Sequence, residues 1–193
     1  MIAPLFDGSF PHRWTAEVLP NRPLILPSRH YVYPEVVEEV ERGALEVLVQ
    51  PAPADSSQKL QRFLATCALG FRDPGAPSGL WSMPDPDWLC AVSGGYAYLI
   101  DVAEPSRFKM ITYRPVLQVL PVVEAGVLLF IGHHAILAWG REGEAWQSDR
   151  LSAEGITVDR IEDHALHGRG WDLMTDKDLP FVLDLATGHR KTA

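Results

Sequence analysis

Cysteine is scarce: Cys67 and Cys90 are the only two in 193 residues. That excludes a disulfide-stapled scaffold, which needs a larger set at close spacing. Each lies inside an apolar segment, so two buried thiols are expected, with a disulfide as the less favoured alternative because nothing suggests an oxidising compartment. Long hydrophobic runs are missing too, since no stretch approaches the roughly 18 apolar residues that a membrane-spanning helix requires. The opening MIAPLFDGSFPHRW lacks the basic start, apolar centre and small-residue cleavage site of a secretory leader. A soluble cytoplasmic protein is expected. Basic clusters are also absent. With 25 acidic against 17 basic side chains and a net charge of -8, the chain repels phosphate backbones and anionic lipid, which argues against nucleic acid and membranes as partners.

Complete catalytic motifs are the last absence. There is no HExxH and no CxxC. Ala91-Val92-Ser93-Gly94-Gly95 comes within one residue of the G-x-S-x-G elbow, but that motif needs a helix after the serine and YAYLIDV reads as a strand. Ser93 to Gly95 is therefore expected to be a hairpin turn. The terminal GHRKT imitates the end of a phosphate-binding loop without its upstream glycine. No catalytic residue and no cofactor are assigned.

What is present is an ordinary globular balance, 47% hydrophobic and 22% charged. The stretch from Val116 to Leu151 organises it. Its centre, Val127 to Ile131, is five large apolar residues in a row, too short for a free-standing helix and without a polar face, which fits a strand buried on both sides. From Trp88 onward, short apolar blocks alternate with turn residues. Strands are expected at Trp88–Val92, Tyr96–Asp101, Lys109–Tyr113, Val116–Val123, Val127–Ile131, Ala135–Trp139, Ala145–Arg150, Ile156–Ile161, Ala165–Gly170 and Phe181–Leu185. The expected class is all-β: antiparallel sheets in a sandwich or propeller-like meander, with a proline-rich arm and at most one short helix.

Upstream the pattern is less regular. Residues 1–34 hold six prolines and read as an arm without periodicity, packed on the body by Phe6, Phe10, Trp14, Tyr31 and Tyr33. Pro34 to Arg42 reads as the short helix, and Ala44 to Val49 as a strand. Phe63 to Phe71 fits both a helical stripe and a strand face, with strand preferred. RDPGAPSGLWSMPDPD, residues 72–87, reads as a long loop anchored by Trp81. The expected organisation is an arm and helix over 1–43 and one all-β domain over 44–193, with any sub-boundary in the loop 72–87.

Tyr96–Asp101, Ala135–Trp139 and Phe181–Leu185 recur at intervals of about 40 residues, a spacing seen in propeller blades. Their turns, A-W-GREG-E-A-W and D-L-A-T-G-H, look like propeller hairpins, although three units are too few for a ring. The segments CAVSGGYAYLIDV, VLLFIGHHAILAWG, GEAWQSDRLS and HGRGWD…LPFVLDLATG resemble those of a group of uncharacterised bacterial all-β proteins, over most of residues 44–188. That resemblance implies an all-β fold and supplies no site residue.

Two constellations carry possible chemistry. His133/His134 and His164/His167 are close pairs of the commonest zinc ligand, with Asp163 and Asp172 as possible oxygen donors. Neighbours on a strand, and residues three apart, point to opposite faces, so either pair chelates only from a turn. Turn histidines are the commoner explanation. Trp171 with Asp172, Asp176, Asp178 and Asp184 forms an acidic loop in which a tryptophan can stack on a sugar and carboxylates can act as acid and base, although acidic loops are usually just solvated. The expected function is a non-catalytic protein-interaction or binding module with a protein partner, for which the negative net charge suits a basic one. The alternative is a small metal-dependent hydrolase or carbohydrate-binding protein that uses His133/His134 and Trp171/Asp172.

Overall fold

The computed structural model describes residues 5–35, 42–52, 61–71 and 75–191. Among them the fold is all-β, and the one helical element is the 3₁₀ turn Val123–Ala125. The chain divides into two compact units, Met1–Pro115 and Val116–Ala193. The division thus falls after Pro115, and the loop 72–87 lies inside the first unit. The helix expected over Pro34 to Arg42 falls largely on residues 36–41, outside the described residues.

The first unit holds nine strands among the described residues: β1 (Leu5–Asp7), β2 (Trp14–Leu19), β3 (His30–Tyr33), β4 (Ala44–Pro51), β5 (Phe63–Ala68), β6 (Gly79–Ser82), β7 (Trp88–Ser93), β8 (Tyr96–Asp101) and β9 (Phe108–Met110). They make two sheets, ordered β1-β6-β7-β8-β9 and β2-β4-β5-β3. Pairing is antiparallel except for β1 on β6 and β3 on β5, which are parallel. One apolar cluster joins them: Trp14, Val47, Val49, Phe63 and Ala65 from one sheet meet Leu80, Leu89, Ala91, Tyr98 and Ile100 from the other.

Three strands thus come from the arm and one from the expected loop. In β2 the residues Trp14, Ala16 and Val18 face the cluster while Thr15 and Glu17 are turned away, a period of two that the surrounding prolines obscure. All four residues of β6 are buried, so that strand has no alternation to read. The arm's aromatics are mostly packed down, with Phe10, Trp14 and Tyr33 buried, but Phe6 is 54% exposed. Of the expected Phe63 to Phe71, the strand β5 covers Phe63–Ala68, all six residues buried, while Phe71 lies beyond it and is 43% exposed. Gly94 and Gly95 have φ of 54° and 78°, the left-handed pair that a two-residue hairpin turn between β7 and β8 demands. Cys67 and Cys90 are buried free thiols. Burial pushes both thiols up, which suppresses the reactive thiolate.

The second unit is built from neighbours in sequence. Its strands are β10 (Gln118–Val122), β11 (Val127–Ile131), β12 (Ile136–Gly140), β13 (Gly143–Gln147), β14 (Ile156–Glu162), β15 (Ala165–Asp172) and β16 (Lys177–Asp184). They form an antiparallel meander β10-β11-β12-β13 and a second sheet β14-β15-β16. The expected buried strand is β11, where all five residues are buried. Leu129, Ile131, Ile136 and Trp146 from one sheet pack with Leu166, Phe181 and Leu183 from the other.

Candidate functional site

Where β15 ends, the segment after β13 folds against it. Ala153 N donates to the Trp171 carbonyl at 2.8 Å. Ser152 Oγ accepts from Trp171 N at 2.9 Å and from Glu154 N at 3.1 Å. The approach depends on Gly170, because a Cβ there would lie 2.3 Å from the Leu151 carbonyl oxygen. Between the segments is a cleft of about 410 Å³ lined by Arg150, Leu151, Ser152, Trp171, Asp172, Leu173, Leu179 and Arg190, among others. Leu173 and Leu179 are 67% and 44% exposed, so the cleft has an apolar lip.

Trp171 and Asp172 therefore line a concave site. Asp172 is already engaged, since its Oδ2 accepts from Thr175 N at 2.9 Å and from Thr175 Oγ1 at 2.7 Å, closing the loop to β16. Trp171 Nε1 donates to Asp176 Oδ1 at 3.3 Å. His134 is not among the lining residues but is bonded to them. Its carbonyl accepts from Leu151 N at 2.7 Å. Its Nδ1 lies 3.2 Å from the Ser152 carbonyl, which can only accept, so Nδ1 donates. The His133 and His134 rings are 5.9 Å apart and tilted.

The other pair sits elsewhere. Asp163 and His164, with φ of 49° and 57°, are the left-handed residues of the turn joining β14 to β15, and the His164 carbonyl accepts from Leu185 N at 3.0 Å. His164 is thus a turn residue at the opposite end of β15 from Trp171, roughly 20 Å away at about 3.3 Å per residue. His167 lies within β15, its Nε2 3.7 Å from Glu162 and its Nδ1 3.4 Å from Arg160 Nη2. The two histidine pairs do not converge. Among the described residues no three His, Cys, Asp or Glu side chains are grouped to hold a metal ion.

The first unit carries a feature of a different kind. Between β2 and β3, Leu24, Ile25 and Leu26 are 104%, 88% and 46% exposed, bracketed by Pro23 and Pro27. Both ends of this loop are tied down. Arg22 Nε donates to Glu46 Oε1 at 2.8 Å. Glu46, only 6% exposed, also accepts the Thr66 hydroxyl at 2.6 Å. That hydroxyl has one proton and gives it to Glu46, so His30 Nε2, 2.8 Å from it, must be the donor of the next bond. At the far end Arg29 Nη1 donates to the Gln61 carbonyl at 3.1 Å, and its guanidinium lies 5.8 Å from the Tyr31 ring centroid. Three consecutive aliphatic residues between prolines are visible in the sequence. Arg150 and Arg190, by contrast, are 40 residues apart, and nothing local marks them.

No protein-family model matches the chain, and no curated protein matches it. No helix among the described residues is long and apolar enough to cross a membrane.

Proposed function

We propose that this is a non-catalytic protein-interaction module of the bacterial cytoplasm, whose contact is the Leu24-Ile25-Leu26 loop seated in an apolar groove of a partner. The observation that carries this reading is the near-complete exposure of Leu24 and Ile25 on a loop fixed at both ends. Large apolar side chains are rarely left wholly in water without a use, and a loop stiffened beforehand loses little entropy on docking. The net charge of -8 favours a partner with basic residues around that groove. The four-stranded meander β10-β11-β12-β13 supports a propeller-like arrangement, a common platform for such contacts. The alternative, a metal-dependent hydrolase or carbohydrate binder, draws support from Trp171 and Asp172 lining a cleft but from neither histidine pair.

The test compares the wild type with Leu24→Asp/Ile25→Asp in pull-downs from the native host, read by quantitative mass spectrometry. These side chains are in solvent, so circular dichroism and thermal midpoint should not change. A partner enriched by the wild type and depleted at least tenfold by the double variant is the expected outcome. Identical captured sets would sink the proposal.

A further inference from the structure

We infer that the cleft in residues 116–193 binds a carboxylate carried on an apolar or aromatic body. This stands apart from the loop reading, since it concerns the other unit and a small ligand group. Arg150 and Arg190 both line the cleft. Among the described residues neither has a carboxylate partner, although the chain carries 25 acidic side chains. Neighbouring arginines behave otherwise: Arg169 and Arg160 are held by Asp159 and Glu162. In a chain with surplus acid, two arginines left free of carboxylates at one concavity form a local anion site.

The arginines are also positioned. Arg150 Nε donates to the Ser152 carbonyl at 3.1 Å and one Nη to the Ala153 carbonyl at 3.4 Å, which fixes the guanidinium on the cleft wall. The Arg190 guanidinium carbon lies 6.0 Å from the Phe181 ring centroid. A guanidinium held this way still presents N–H donors, and its planar fork matches a carboxylate. Beside these cations, Trp171, Leu173 and Leu179 supply the apolar surface that a ring or aliphatic body covers. The Asp172 carboxylate at the rim is engaged by Thr175, so it competes less for the arginines than a free carboxylate would. The volume of about 410 Å³ falls at the small end of ligand pockets, which suits one ring with its acid group.

Phenylacetate and its neutral isostere phenylacetamide are titrated into the full chain by calorimetry and by amide chemical shifts in NMR. Phenylacetate is expected to bind on the order of millimolar, as suits so small a ligand. The amide should bind at least tenfold more weakly, with shifts centred on residues 150–153 and 170–173. Arg150→Gln/Arg190→Gln should weaken the acid at least tenfold while leaving the circular dichroism and the amide's affinity unchanged. A second arm compares acetyl-Gly-Phe as free acid and as C-terminal amide. Tighter binding of the peptide acid than of phenylacetate points to a chain terminus as the source, and weaker binding to a free small acid; both support the site. Equal binding of acid and amide, no binding of any probe, or shifts confined to other residues overturns it.

Discussion

The two units solve the same problem, two sheets packed on a shared core, with different materials. The first threads charge through its interior: Glu46 and Asp101 are 6% and 5% exposed, the one held by Arg22 and Thr66, the other by Arg107 and the backbone of Ala103 and Glu104. Among described residues, the second buries no charged side chain, only Ser148 and Ser152. Pairing differs as well. Strands of the second unit pair with their immediate neighbours in sequence, whereas the first joins β1 to β6, β2 to β4 and β3 to β5. Long connections leave loop ends to be fastened, and the Arg22–Glu46–Thr66–His30 chain does that across β4, β5 and β3. Short hairpins need no such clamp.

Four measurements can break or sharpen that contrast. The largest effect belongs to the apolar core of the second unit. Leu129→Ala opens a cavity beside Ile136 and Leu166 and should lower stability by about 3–5 kcal/mol in urea unfolding. Next comes Glu46→Ala, expected to cost about 2–3 kcal/mol because it strands the Thr66 hydroxyl inside the sheet. Arg22→Ala should cost under about 1 kcal/mol, since that side chain is 43% exposed and its ion pair is screened. Equal losses for Glu46→Ala and Arg22→Ala would mean that the ion pair, not the buried hydroxyl bond, is the clamp.

The smallest effect is a pH slope. Burial, reinforced by Arg22 and partly offset by Glu46, holds the His30 imidazole below the ordinary histidine value of 6.5. The folded chain therefore resists a proton that the unfolded chain accepts. Stability falls as pH drops through 6.5 toward the lower folded value and is regained above it. Carboxylates held low by partners, such as Asp159 beside Arg169 and Glu162 beside Arg160, contribute stability that is lost only at more acid pH, so they stay silent between pH 7.5 and 5.5. The urea midpoint should shift less over that window in His30→Gln than in the wild type. An identical shift in both would remove His30 from the account.

Legibility in the sequence follows the same divide. All ten strands expected after Trp88 are present, because each sits in a hairpin or meander whose turn residues and apolar block are adjacent. Ends moved by a few residues: β16 starts at Lys177 rather than Phe181, since its first four residues are exposed and Pro180 interrupts them, with Leu179 the single apolar side chain among Lys177, Asp178 and Pro180. β1, β2, β3 and β6 were not legible. Prolines surround all four; β1, β2 and β3 pair with strands far along the chain, and β6, although it also pairs with its neighbour β7, is four residues long and wholly buried. At the cleft, Trp171 and Asp172 could be singled out by type. Arg150, Arg190 and the wall at Leu151 to Ala153 could not, because bonds between distant segments bring them together: Ala153 N to the Trp171 carbonyl, Trp171 N to Ser152 Oγ, and for Arg190 its bridge to Leu183.

The parallel pairing of β1 with β6 has a temporal side. Leu5 is matched to Gly79, 74 positions later. At about 5–20 residues per second, a ribosome delivers the second strand roughly 4–15 s after the first. Throughout that wait Phe10 and Trp14 lack Ser82 and Trp88, the groups they eventually hydrogen-bond. The nascent first unit thus spends seconds with bare aromatic surface in the cell, a window in which chaperones have work to do and the later, locally paired unit has almost none.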